Sequence, residues 1–299
     1  MITKRIIDEK GIDQTEDTVL VLGYFDGLHK GHQALFEKAR EIADKQGLKI
    51  AVMTFPESPK LAFVRYQPEL MLHLASPEDR MTQLESLGVD YLYLIDFTSH
   101  FAGNTARDFF EKYVSRLRAK AVVAGFDYHF GSDRKESHEL RDFFNGKIVI
   151  VPSVNLDNRK ISSTRIRETI SAGDMLKTQE LLGYPLSTRG IVVHGNARGR
   201  TIGYPTANLA PLDRVHLPGD GVYVADVEHN GQRYRGMASV GKNVTFDGDE
   251  LRFEVNIFDF SQDIYGDTIR IFWLDKIREM VKFEGIDSLI AQLQSDERI

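Results

Sequence analysis

Cysteine is absent from the 299 residues, which excludes disulfides, thiolate metal sites and thiol nucleophiles. The absence fits a reducing compartment. Long apolar runs are missing too: none approaches the roughly eighteen residues of a membrane-spanning helix. Residues 1–5 have no apolar core of signal-peptide type. The expectation is a soluble, cytoplasmic protein with no membrane partner. Acid outweighs base, and a formal net charge of -6 argues against a general nucleic-acid binder while leaving room for a local basic pocket around a small polyphosphate. No internal repeat or low-complexity tract occurs. A hydrophobic share of 42% predicts a packed core, and the length suggests two domains.

The hydrophobic period divides the chain. From residue 19 to about 183, short apolar runs at 19–22, 48–54, 90–95, 121–124 and 148–151 read as buried parallel strands. Amphipathic stretches at 77–87 and 105–117 read as helices, the first opened by Ser76, Pro77 and early acidic residues. This alternation predicts an α/β domain, 1–183, with a doubly wound parallel sheet and ligands at the carboxyl ends of its strands. After Gly183, runs at 222–227, 234–240, 251–258 and 268–273 read as strands split by Gly/Asn/Asp turns. Asn230-Gly231 suits a type I′ hairpin. A small antiparallel β-barrel domain, 184–299, closed by a C-terminal helix over 286–293, is expected.

Three segments carry chemistry. The first, residues 23–32, contains Gly23, Phe25, Asp26, Gly27, His29, Gly31 and His32 and joins an apolar strand to a helix-like stretch. That arrangement presents backbone N–H groups to phosphate. His29 and His32, three apart, share one helical face and can each donate a hydrogen bond. Paired histidines often only decorate a surface, but behind a strand and a Phe-Asp-Gly turn they predict a nucleotide-phosphate site. The second segment, Ile161-Ser162-Ser163-Thr164-Arg165-Ile166-Arg167, enters a helix. One hydroxyl would suffice as a cap; three in a row beside Arg167 make a polyphosphate cradle.

The third runs from Gly195 through Arg198, Gly199 and Gly203 to Pro205, Thr206 and Asn208. It lacks the Gly-Lys-Ser/Thr ending of a Walker A loop. Its glycines allow backbone to approach phosphate closely, and Thr206 and Asn208 offer the neutral oxygens that Mg²⁺ accepts alongside phosphate and water. Downstream, alternation puts Phe253, Val255 and Ile257 on one strand face and Glu254 and Asn256 on the other. Glu254 is a candidate base for a hydroxyl proton. Exposed strand glutamates are common, so the residues alone leave a solvated Glu254 open.

These segments resemble the bacterial bifunctional riboflavin kinase/FAD synthetases. Residues 23–32 meet G-x-F-D-G-x-H-x-G-H in full, and residues 161–167 meet I-S-S-T-x-x-R in full. Residues 123–131 follow V-x-G-x-D-F-x-F-G with Tyr128 for one Phe, and residues 195–208 follow G-x-x-x-G-R-x-x-G-x-P-T-A-N throughout. The resemblance implies adenylylation of FMN by ATP in the first half, giving FAD and pyrophosphate. In the second half it implies phosphorylation of riboflavin by ATP, with Mg²⁺ serving both steps. His29 and His32 would neutralise ATP phosphates, while Ser163, Thr164 and Arg167 hold the departing pyrophosphate. Glu254 matches the catalytic position of V-E-x-H, with Asn256 replacing the His.

Flavin contacts are expected from Asp127, Asn243 and Arg278, though Asp127 suits an ordinary turn equally well. Two departures stand out. The family's N-P-T-F stretch loses its proline to Val244, and a family His in F-x-P-H-P gives way to Ser58 beside an acidic Glu57 that would oppose FMN phosphate. A chain keeping only one activity, a flavin-binding regulator without turnover and a nucleotidyltransferase for a non-flavin substrate are the competing readings.

Overall fold

A computed structural model of the chain describes residues 1–195, 199, 203–243, 248–283 and 285–298. It divides into two compact units, Met1–Leu72 with Pro77–Ser162 and His73–Ser76 with Ser163–Ile299.

The first unit contains strands β1 (Ile2–Ile6), β2 (Thr18–Leu22), β3 (Lys49–Thr54), β4 (Tyr91–Ile95) and β5 (Ala119–Gly125). A short hairpin of β6 (His129–Phe130) and β7 (Lys135–Glu136) follows, then β8 (Lys147–Val151) and a second hairpin of β9 (Asn155–Leu156) and β10 (Arg159–Lys160). Six strands form a parallel sheet in the order β1-β4-β3-β2-β5-β8. The apolar runs of β2, β3 and β5 are buried on both faces, as a parallel sheet covered on both sides requires. Val19, Val21, Ile50 and Val52 meet helix α1 (Lys30–Gln46). Its Leu35, Phe36, Ala39, Ile42 and Ala43 form a stripe at 3–4 spacing. Gly47, at φ 63°, ends the helix in the left-handed conformation. Leu20, Leu22, Met53 and Tyr93 face an aromatic layer of Phe101, Phe109, Phe110 and Tyr113.

Helix α2 (Pro77–Ser86) forms where expected. The stretch 105–117 differs from the single amphipathic helix expected. Short helix α3 (Ser99–Ala102) precedes it, and α4 (Ala106–Phe109), opened by a Thr105–Asp108 capping box, widens into a π-helical turn over Phe110–Val114. Phe109, Phe110, Tyr113 and Val114 are buried along one face of this stretch, so the apolar stripe forms although the helix is not regular. Strands β3 and β5 lie on opposite sides of β2, so the crevice at the carboxyl ends of β2 and β5 is the topological switch point of the sheet.

The second unit opens with α5 (Ser163–Ala172) and α6 (Met175–Leu182). A closed barrel follows: β11 (Ser187–Val193), β12 (Ala207–Pro211), β13 (Gly221–His229), β14 (Gln232–Asn243), β15 (Gly248–Ile257) and β16 (Thr268–Arg278), in the order β11-β12-β15-β14-β13-β16. Asn230 and Gly231 both take positive φ, 50° and 77°, at the β13–β14 turn, as a type I′ hairpin demands. Trp273 packs between Tyr223 and Phe253 and donates its indole N–H to Thr188 Oγ1 at 2.9 Å. Helix α7 (Ile286–Asp296) ends the chain. Although the hydrophobic period changes at Gly183, α5 and α6 group with the barrel. The Gly219 N–H donates to Ile170 O at 2.9 Å, and a Cβ on Gly173 would stand 2.6 Å from the Tyr223 hydroxyl.

Candidate active sites

In the first unit β2 runs into a tightly wound turn. Phe25, Gly27 and Leu28 all take positive φ, and a Cβ on Gly23 would stand 2.6 Å from the Phe25 ring, so glycine is required there. His29 caps α1: its Nδ1 accepts the His32 backbone N–H at 3.2 Å. The two imidazoles stack with centroids 3.6 Å apart, and His32 sits edge-on to Phe25.

Burial pushes His29 down to about 4. Burial pushes His32 well below its ordinary value, and His29 when protonated, Arg80 and Lys160 act in the same direction. Both rings are therefore neutral near pH 7. Since His29 Nδ1 is an acceptor, its proton resides on Nε2. The pair offers N–H donors to an anion rather than the charge expected for neutralising phosphates. His32 Nδ1 is buried without a hydrogen-bond partner, a cost that functional sites carry.

Behind this turn lies Arg80 of α2, nearly fully buried. Its guanidinium donates to Phe55 O at 2.9 Å, to Tyr24 O and to Thr54 Oγ1, tying together the carboxyl ends of β2 and β3. Burial disfavours its charge, while Tyr24, Asp26 and Glu57 favour it. Glu57, the acidic departure, thus faces a buried cation. Asp127, just beyond β5, is ion-paired with Lys160, whose ammonium also lies 4.6 Å from the Phe126 ring centroid. Beside these residues is a cavity of about 520 Å³ whose lining includes Phe55, Phe97, Phe101, Phe109, Tyr128 and Phe130.

Ser162 closes the first unit, half-buried. Ser163 and Thr164 open α5, and Arg167, one turn on, donates from Nε to His216 Nε2 at 3.0 Å.

In the barrel, Asn208 pairs in register with Glu254, which pairs on its other side with Ser239. Glu254 is half-buried and lines a cavity of about 240 Å³ with Gly199, Thr206, Ser239, Asn256 and Arg278, so it is not a solvated strand residue. A Cβ on Gly195 would stand 2.2 Å from the Asn208 amide nitrogen, so glycine there lets the backbone lie against that side chain. The Tyr204 N–H donates to Gly199 O at 2.9 Å, and Gly203 takes φ 83°. Asn256 donates to the Pro205 carbonyl at 2.6 Å, anchoring the segment that carries Thr206. The fork of Arg278 is engaged by the buried carboxylate of Asp296 on α7, at 2.8 Å from Nη2. Asn243 ends β14. Arg198 and Val244 fall outside the described residues.

Sequence reasoning missed three features. Arg80 shares the buried stripe of α2 with Leu84, a signal in the form of a charged residue at an i, i+4 core position. Lys160 precedes the Ile-Ser-Ser-Thr segment without belonging to it. The aromatic cavity is gathered from residues far apart in sequence, and no local pattern announces it.

The first unit is a nucleotidyltransferase-like α/β fold with its histidine-bearing turn at the switch point, and the second is a closed barrel with a carboxylate beside a glycine-rich segment. Together they define a two-part phosphorus-transferring enzyme. The FAD synthetase family model matches residues 11–165 and the riboflavin kinase model residues 182–299. The curated bifunctional riboflavin kinase/FMN adenylyltransferase of Listeria monocytogenes is 40% identical, over 94% of this chain and 90% of that protein. The Bacillus subtilis protein of the same description is 37% identical over 96% and 92%. A crystal structure described as a macrolide-efflux protein from Streptococcus pneumoniae is 57% identical, covers 100% of this chain and 98% of that one, and superposes with a TM-score of 0.96. Among the described residues here, no helix is long and apolar enough to cross a membrane. The chain belongs to the bifunctional riboflavin kinase/FMN adenylyltransferase family.

Proposed function

We propose that the chain phosphorylates riboflavin to FMN in the barrel and adenylylates FMN to FAD in the α/β half, in the cytoplasm, with functional boundaries at 1–183 and 184–299. The observation that supports this reading is that each unit carries its own cavity, an aromatic one in the first unit and one lined by Thr206 and Glu254 in the barrel.

In the barrel, the Glu254 carboxylate accepts the proton of the ribityl hydroxyl as that oxygen attacks the γ-phosphorus of ATP, and ADP leaves. Gly195, Arg198, Gly199 and Gly203 hold the ATP phosphates. Among the described residues no cluster of three His, Cys, Asp or Glu could cage a metal. The Thr206 hydroxyl and Asn208 amide are hard oxygen donors that fit Mg²⁺ arriving with the nucleotide, where most ligands are phosphate and water. Bound there, the ion offsets the charge of the β- and γ-phosphates. Asn243 and Arg278 contact the flavin, Arg278 through the α7 latch that fixes it.

In the α/β half, the FMN phosphate is itself the nucleophile: its oxygen attacks the α-phosphorus of ATP and pyrophosphate leaves, so alignment replaces a side-chain nucleophile. His29 Nε2–H and His32 donate to phosphate oxygens and the backbone from Gly23 to Gly31 cradles them; the role of holding pyrophosphate that the family resemblance implies for Ser163, Thr164 and Arg167 is a separate expectation. The aromatic cavity takes the isoalloxazine ring by stacking. Chromatography after incubation with Mg-ATP and either riboflavin or FMN tests the proposal. The expected products are FMN and FAD; FMN alone would mean one activity, and tight flavin binding without product a regulator.

A further inference from the structure

We propose that Lys160 is the cation that meets the nucleotide polyphosphate in the first unit, with Asp127 as its counter-ion while no nucleotide is bound. This rests on the adenylyltransferase reading of that unit.

Asp127 lies just past β5 and the Phe-Asp-Gly turn just past β2, and these are neighbouring strands at the switch point. Lys160 ends β10 beside Ile161, whose carbonyl oxygen lies 3.6 Å from where a Cβ on Gly31 would stand. The end of β10 therefore runs along the first turn of α1. The Lys160 ammonium, held by Asp127 and lying against the Phe126 ring, is near enough to both imidazoles for its field to disfavour their protonation.

The charge inventory of the turn is otherwise thin. The stacked histidines are neutral donors. Arg80 directs its amino groups to Tyr24, Thr54 and Phe55 carbonyl or hydroxyl oxygens. The exposed Lys30 opens α1 between the two histidines; Lys160 differs from it in being held over the Phe126 ring by a carboxylate that can be exchanged. Its side chain is 41% exposed and that of Asp127 56%, and an ion pair so open to water contributes little to stability. A polyphosphate carries more charge than one carboxylate and outcompetes it for the ammonium.

The two partners therefore act in opposite directions on phosphate binding. The test is calorimetric titration of the full chain with magnesium pyrophosphate, the leaving group of adenylylation but not of phosphorylation. Lys160→Met is expected to weaken pyrophosphate binding by about 10- to 100-fold, the scale of one charge-assisted hydrogen bond. It should also raise the ATP KM of FAD formation, with Lys160→Arg recovering most of the loss. Asp127→Asn, which releases the lysine, is expected to bind pyrophosphate as tightly as the unaltered chain or more tightly. Unweakened binding by Lys160→Met overturns the inference. So does an equal loss in Asp127→Asn, which would make the pair a structural staple. Thermal unfolding of each variant identifies a folding defect, and in that case Lys160→Gln and the salt dependence of pyrophosphate binding by the unaltered chain decide. Absence of FAD from the unaltered chain, with pyrophosphate binding still dependent on Lys160, removes the adenylyltransferase reading and leaves Lys160 as a phosphate ligand.

Discussion

His29 has two tasks open to one ring: Nδ1 caps α1, which leaves Nε2–H as a donor. Its proton affinity couples the site to stability. The folded value of about 4 lies below the ordinary 6.5, so between those values the unfolded chain holds the proton and the folded chain does not. Stability from this residue is therefore present above pH 6.5 and lost as pH falls toward 4, by roughly 3 kcal/mol in order of magnitude. His29→Asn keeps a capping side chain. It is expected to lose less stability than the unaltered chain between about pH 7 and about pH 4.5 in urea denaturation, while FAD formation falls about 10²- to 10³-fold. Equal acid losses in the two proteins would remove His29 from the pH dependence. Glu254 gives the matching prediction in the barrel. Glu254→Gln keeps size and hydrogen bonding but removes the base. Riboflavin phosphorylation should drop about 10²- to 10⁴-fold, with flavin and Mg-ATP affinities little changed by calorimetry and FMN adenylylation intact. Near-normal turnover would make Glu254 a bystander in the cavity wall.

Among the elements, legibility followed burial symmetry. Strands β2, β3, β4 and β5 were readable because interior strands of a sheet covered on both faces demand continuous apolar runs, and β8, an edge strand with only Val151 buried, still carries an apolar run. Strand β1 was not readable: at the edge of the sheet only Ile6 is buried, and Lys4 and Arg5 face outward to Asp13 and Asp96. Strands β11 and β12 were lost among polar and glycine-rich residues whose pairing partners lie as much as 85 residues away, as Ser187 with Phe272 shows. The motif segments were legible because backbone conformation dictated their residues, as at Gly23, Gly27 and Gly195. Arg80 and Lys160 were not, because their roles depend on which distant carbonyls and carboxylates the fold brings to them. Asn256 shows the same dependence: a strand side chain of β15 secures the Pro205 carbonyl and with it the position of Thr206. Asn256→Ala would remove that donor from the exposed Pro205, where water can replace it, at a cost of about 0.5 to 1.5 kcal/mol. The expected result is a raised ATP KM for the kinase step and no change in FAD formation from FMN. An unaltered KM would mean that the glycine-rich segment holds itself in place.

At the scale of the whole molecule, the boundary suggested by sequence and the boundary drawn by packing are twenty-one residues apart, and stability depends on which one a fragment respects. The hydrophobic period changes after Gly183, yet α5 and α6 pack with the barrel. Ile170 O accepts from the Gly219 N–H, the Arg167 Nε donates to His216, and the backbone at Gly173 lies against Tyr223 and Lys276. Cutting at residue 184 removes these helices, including the buried Ile166, Ile170, Met175, Leu181 and Leu182. Each large aliphatic side chain contributes about 1.5 to 3 kcal/mol when buried, and the barrel surface they cover would meet water. A fragment of residues 163–299 is therefore expected to unfold at clearly higher urea than one of 184–299. Both should phosphorylate riboflavin when folded, because Gly195, Thr206, Asn208 and Glu254 lie in each. Neither should form FAD, since both lack His29 and His32. Urea midpoints of the two fragments, measured alongside product chromatography, check this. Equal midpoints would show that α5 and α6 rest on the barrel without stabilising it, and a folded but inactive 163–299 fragment would take the kinase reaction away from the barrel.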